Sequence, residues 1–117
     1  MAIAIVEKRR FPRIKLQRPL HYQIRGVSIF NNAIGENISL GGIGLLTNNR
    51  FIAPETLVSL KINVLSRILS PTVKVVWSHL IPQFERYRIG VEFVEFDAQE
   101  KSYLADYIIG THNNYGS

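Results

Sequence analysis

The chain has 117 residues, 46% of them hydrophobic, with a formal net charge of +5; that is enough for one domain (residues 1–117) around one core, and too short for two. It has no cysteine, which excludes disulfides and thiolate metal sites and fits a reducing compartment. No apolar run approaches the roughly 18 residues of a membrane span. The apolar start, residues 1–6, is followed rather than preceded by basic residues and is short for a signal-peptide core, so a cytoplasmic protein without membrane insertion is expected.

The charge is concentrated at one end. Residues 1–25 carry a net +6, with Lys8, Arg9, Arg10 and Arg13 in the lead, and the rest of the chain carries −1. A near-neutral body with a basic arm attracts a small anion locally and lacks the broad cationic stripe that long nucleic acid needs.

In chain order, residues 1–17 read as a flexible arm, extended at Phe11 because Pro12 disfavours helix there. A barrel region follows over about residues 18–95. Leu20, Tyr22 and Ile24 alternate with polar residues as in a half-buried strand. Residues 28–38 are interrupted by Asn31-Asn32 and Gly35 and read as a strand with a bulge or a tip. A glycine turn at Gly41-Gly42 leads into a short apolar run, residues 44–47. Period-two alternation returns at Val58, Leu60, Ile62 and Val64, and again at Ile89, Val91 and Phe93, while residues 73–77 are β-branched and aromatic. Breaks at Gly26, Asn48-Asn49, Pro54, Pro71 and Pro82 divide this into about six short strands, the pattern of a small antiparallel barrel or sandwich. One helix is expected over residues 97–110. Asp97 is its N-cap, with Glu100 placed to complete a capping box. Tyr103, Leu104, Tyr107 and Ile108 form its apolar face, and Gly110 is its stop. The tail from Thr111 is polar and expected to fray.

Two short motifs carry chemistry. Arg9 and Arg13 stand four apart, roughly 13 Å in an extended chain. A guanidinium fork donates two parallel hydrogen bonds to phosphate oxygens or to the O6 and N7 acceptors of guanine. Asn37 and Ser39, two apart, offer an amide and a hydroxyl on one side of a strand, next to Gly41 and Gly42, where no side chain blocks a ligand's approach. Taken singly, the first is also what an unstructured basic leader looks like, and the second is what a plain strand connection looks like. Enzymatic chemistry finds little support. His21, His79 and His112 lack metal-ligand spacing. Glu92 and Glu95 face opposite sides of a strand, and no P-loop or nucleophile elbow is present.

Together, Arg9-x-x-x-Arg13 and Asn37-x-Ser39-x-x-Gly42 resemble the signature of the PilZ domain family, bacterial receptors for cyclic di-GMP, written RxxxR followed by [D/N]xSxxG. The resemblance extends through Val75-Val76-Trp77, through Arg88-Ile89-Gly90-Val91-Glu92-Phe93 and through the terminal helix, from about Glu7 to Ile109. It implies an all-β fold, a six-stranded antiparallel β-barrel with a flexible N-terminal arm and one C-terminal α-helix. It further implies that cyclic di-GMP is held on the barrel's outer surface. Arg9 and Arg13 would clamp phosphate and guanine, Asn37 and Ser39 would bond a guanine edge, and Gly42 would let the turn fit beneath. Lys8, Arg10, Gly41, Trp77 and Arg88 are secondary candidates. Trp77 either faces the ligand or belongs to the core. The implied protein is a receptor, not an enzyme, a monomer or weak dimer without cofactor, which signals by ordering its arm and acting on an unidentified effector protein. The alternatives are a PilZ-fold interaction module that binds no nucleotide, and a small single-stranded nucleic-acid binder.

Overall fold

A computed structural model of the chain describes residues 12–48 and 50–116, with side chains up to Thr111. Seven strands and one helix follow one another: β1 (Ile14–Ile24), β2 (Asn31–Ile38), β3 (Gly42–Asn48), β4 (Leu57–Val64), β5 (Arg67–Leu69), β6 (Thr72–Ile81), β7 (Arg86–Glu95) and α1 (Ala98–Gly116). The sheet runs β1-β2-β3-β7-β6-β4, and β1 pairs back onto β4 through Tyr22 opposite Leu60. Six antiparallel strands therefore close into a barrel, which leaves no open sheet edge among them. The seventh strand, β5, forms a three-residue hairpin arm on β4. It is one strand more than the sequence pattern yields, because three residues are too few to display a period.

The expected inward sets hold. Leu20 and Tyr22, the four alternating residues of β4, and Ile89 and Val91 are all buried in one cluster. The barrel starts earlier than residue 18: Ile14 and Leu16 lie within β1 and are buried, so residues 14–17 belong to the barrel and not to an arm.

The helix also differs from expectation at both ends. Asp97 caps it, its Oδ2 accepting from the N–H groups of Gln99 and Glu100 at 3.1 Å each. Glu100, however, does not close the box. Its Oε1 accepts the N–H of Ser70 at 2.9 Å and ties the helix to the link between β5 and β6. Leu104 and Ile108 enter the core, with Tyr103 and Tyr107 packed beside them, and the Tyr103 hydroxyl donates to the Val64 carbonyl at 3.1 Å. The helix then runs through Gly110 to Gly116. A glycine stop requires a left-handed residue; Gly110 has open space around it and no positive φ.

Three register irregularities place the outer face that matters. β1 shifts between Lys15 and Arg18, with Gln17 in the left-handed region at φ 46°. β2 shifts between Gly35 and Asn37. β6 shifts between Val75 and Trp77, where Val91 and Gly90 on β7 oppose a stretch one residue longer. Each is a β-bulge, which adds an unpaired residue; those in β2 and β6 reverse the in–out alternation beyond them, whereas in β1 Leu20 and Tyr22 stay in phase with Ile14 and Leu16.

Candidate functional site

The three bulges border one open cavity of about 880 Å³ on the outside of the barrel. Its walls come from the start of β1, the end of β2, the β2–β3 turn, and the facing stretches of β6 and β7.

In β2, Gly35 and Ile38 are buried. The bulge leaves two residues between them instead of one, so Glu36 and Asn37 both line the cavity. Arg13, just ahead of β1, reaches across to Asn37, its Nη1 donating to the amide Oδ1. Behind the amide lies Gly44, where a Cβ would stand 3.0–3.3 Å from the Asn37 side-chain atoms. Gly44 is thus the floor on which Asn37 rests.

Ser39 follows the last residue of β2 and is only 4% exposed. Its N–H donates to the Gly42 carbonyl at 2.9 Å, and its Oγ accepts from the N–H groups of Gly41 at 3.1 Å and Gly42 at 3.3 Å. The hydroxyl oxygen thus builds the turn; its O–H proton is what it can offer outward. Gly41 also accepts the Phe93 N–H at 3.0 Å. Gly42 needs to be glycine for space, because a Cβ there would lie 2.0 Å from the Val91 carbonyl oxygen. The turn is therefore bolted to β7.

Trp77 resolves to the cavity side. Val73 and Val75 point inward, and continued alternation would carry Trp77 into the core with them. The extra residue Val76 reverses the phase, leaving Trp77 38% exposed and lining the cavity. The indole lies flat against Gly90, where a Cβ would meet it at 2.3–2.7 Å, and beside the His79 ring at 5.0 Å. Ser78 takes the inward position, and its Oγ is buried without a hydrogen-bond partner among the described residues.

Arg88 faces the same cavity and is held by Glu36. Its Nε donates to Oε1 at 2.9 Å and its Nη2 to Oε2 at 3.2 Å. That hydrogen bonding, and the carboxylate's charge, raise the Arg88 pKa further above its ordinary value. Glu92, the other carboxylate on the wall, pairs with Lys74 at 3.4 Å.

The structure thus brings together Arg13, Asn37, Ser39, Gly41, Gly42, Trp77 and Arg88. Lys8, Arg9 and Arg10 lie outside the described residues. Sequence reasoning missed Lys15, Gln17, Glu36, Gly44 and Gly90 in the lining. The spacing Gly42-x-Gly44 was a readable signal; the rest follow from bulges, which leave no mark in composition. Among the described residues, no group of three or more His, Asp or Glu stands where it could hold a metal, and no helix is long and apolar enough to cross a membrane.

A closed six-strand barrel with one added strand, a C-terminal helix and an asparagine–serine–glycine turn under an arginine defines a small β-barrel domain with an open cavity on its outer face. A family model for the PilZ domain matches residues 7–110, and the chain belongs to that family. An uncharacterised protein of Aquifex aeolicus is 24% identical over 104 residues, covering 89% of this chain and 49% of that protein. The fold is similar to that of the Bacillus subtilis inhibitor of motility, MotI/DgrA, with TM-score 0.79 and 20% identity over 91% of this chain and 52% of that one. It is similar also to the PilZ domain of YcgR from Escherichia coli, solved with c-di-GMP, with TM-score 0.65 and 14% identity over 92% of this chain and 94% of that domain. The chain therefore spans about half the length of the Aquifex and Bacillus proteins and nearly all of the YcgR domain.

Proposed function

We infer that this chain is a cyclic di-GMP receptor that binds the nucleotide in the bulge-lined cavity and passes the signal to a partner protein. The observation that carries the reading is the convergence of Arg13, Asn37, the 39–42 turn and Trp77 on one face of the barrel. Each supplies something the ligand's chemistry requires. The Arg13 fork suits a phosphodiester or the Hoogsteen edge of guanine. The Asn37 amide has a donor for the guanine O6 or N7 once its oxygen is taken by Arg13, and the turn presents a surface with no side chain in the way. The Trp77 ring offers a stacking face. Arg9, with Lys8 and Arg10 beside it, is assigned to the opposite side of the ligand, so that residues 1–11 cover the bound nucleotide and change the surface a partner meets. The solution of the YcgR domain with c-di-GMP supports the choice of ligand. This reading makes the chain a receptor and adaptor without catalytic chemistry.

The test is calorimetric titration of the purified chain with cyclic di-GMP, with GTP and a short oligonucleotide as controls, while the emission of Trp77 is followed. Saturable uptake of the cyclic dinucleotide alone, with a change in emission, is the expected result. Absence of heat at high micromolar ligand would overturn the reading and leave a PilZ-fold docking module.

A further inference from the structure

The cavity contains its own anion. Glu36 is turned outward by the β2 bulge next to Asn37 and grips Arg88 through both carboxylate oxygens. The guanidinium is 54% exposed at its side chain and the carboxylate 26%. The pair thus sits at the cavity surface, where water and a ligand reach both partners. An exposed pair of this kind is held weakly, because solvent screens its attraction and ordering two side chains costs entropy. A phosphodiester is a second candidate for the same fork, since it presents oxygens at the spacing that Arg bonds in parallel.

We propose that Glu36 competes with the ligand's phosphate for Arg88, and so sets the affinity of the site. This rests on the receptor reading above. In the free protein Arg88 is neutralised. When nucleotide enters, the guanidinium turns from Glu36 to a phosphate oxygen, and Glu36 is left without its partner beside an anion. Glu92, the other carboxylate of the lining, is paired with Lys74. Every binding event therefore includes the breaking of one ion pair and the exposure of one carboxylate, so Glu36 restrains a site that Arg13, Lys15 and Arg88 would otherwise make strongly cationic.

Glu36→Gln keeps the shape and a hydrogen-bond acceptor for Arg88 but removes the charge. It should tighten cyclic di-GMP about fivefold, the size set by the upper end for an exposed ion pair. Four proteins decide it by calorimetry: the parent, Glu36→Gln, Arg88→Gln and the double variant. Tightening by Glu36→Gln that is mostly lost in the double variant is the expected pattern, since the gain runs through Arg88. Glu36→Gln binding no tighter than the parent would overturn the proposal. So would a gain that survives Arg88→Gln intact, which would reduce Glu36 to a general repulsive charge. The receptor reading fails separately, if the parent takes up no cyclic di-GMP. In that case pyrophosphate is the probe, with the Nε–H resonance of Arg88 as readout. A shift at lower pyrophosphate in Glu36→Gln than in the parent supports the competition; the same concentration dependence in both sinks it. Glu36→Ala, which removes charge and acceptor together, should move in the same direction as Glu36→Gln in every arm.

Discussion

Replacing Gly90 by alanine isolates the platform beneath Trp77. The new methyl would stand 2.3 Å from Cε2 and 2.4 Å from Nε1 of the indole, far inside van der Waals contact, so one side must yield. The backbone of β7 is fixed by its ladders to β3 and β6, whereas Trp77 is 38% exposed and faces the open cavity. The ring therefore swings outward. If it gives up about a third of the contact area of a buried tryptophan, some 60 Å² returns to water, a loss of roughly 1.5 kcal/mol. Alanine in place of glycine stabilises by about 0.4–1 kcal/mol through the unfolded chain, so the net loss should be about 1 kcal/mol. Trp77 is the sole tryptophan, and its emission should shift to the red in the variant, which denaturant unfolding and fluorescence together report. The decisive control is the Trp77→Ala background, where the clash is absent and Gly90→Ala should be neutral or stabilising. An unchanged emission maximum, or the same cost in both backgrounds, would refute the packing argument.

Gly42→Ala should be more damaging. The methyl meets the Val91 carbonyl at 2.0 Å and the Glu92 Cα at 3.0 Å, and backbone cannot swing aside, so denaturation should show a loss near the upper end of overpacking, about 3 kcal/mol. Arg13→Ala should weaken cyclic di-GMP by about 1.5–3 kcal/mol, the size of a charged hydrogen bond, with Arg13→Lys between it and the parent because an ammonium cannot fork; calorimetry measures both. Alkaline stability should depend on Tyr22. Burial pushes its phenol above the ordinary value, against a smaller lowering by the Arg50 guanidinium. The unfolded chain then loses this proton first, so the stabilisation is complete below about pH 10 and is lost as pH rises through the higher native value. Unfolding free energies compared between about pH 9 and pH 11 should fall less for Tyr22→Phe than for the parent; equal falls would remove Tyr22 from the account.

What could be read in the sequence divides along a physical line. Period-two burial over several residues is legible, so β4 and the inward residues of β1 and β7 follow from hydropathy alone. The asparagine–serine–glycine turn is legible as well, although the Ser39 oxygen proves to serve the turn's own N–H groups. The end of the helix is not, because a glycine halts a helix only in a left-handed conformation, and residue type does not say which conformation Gly110 adopts. The partner of Glu100 is not either: the capping box and the reach to Ser70 use the same carboxylate, and only the tertiary position of the link between β5 and β6 selects between them.

The side to which Trp77, Glu36 and Asn37 turn depends on one extra residue in each of two strands, and that dependence explains why the site stands where it does. A regular strand on a closed barrel shows the outside only every second residue, about 7 Å apart, too sparse to surround a small ligand with donors. A bulge sets two consecutive side chains outward at the loss of one ladder pairing. In β2 this places Glu36 beside Asn37, so that one turns to Arg88 and the other to Arg13. In β6 it sets Trp77 against Gly90 and buries the Ser78 hydroxyl unpartnered, a local loss whose return is an aromatic wall. The closed barrel tolerates these losses because its core is continuous from Ile14 to Ile108 and does not depend on any one ladder pairing. The bulges of β2 and β6 thus fall on the cavity wall, and the further shift between Thr72 and Val73 lies outside its lining.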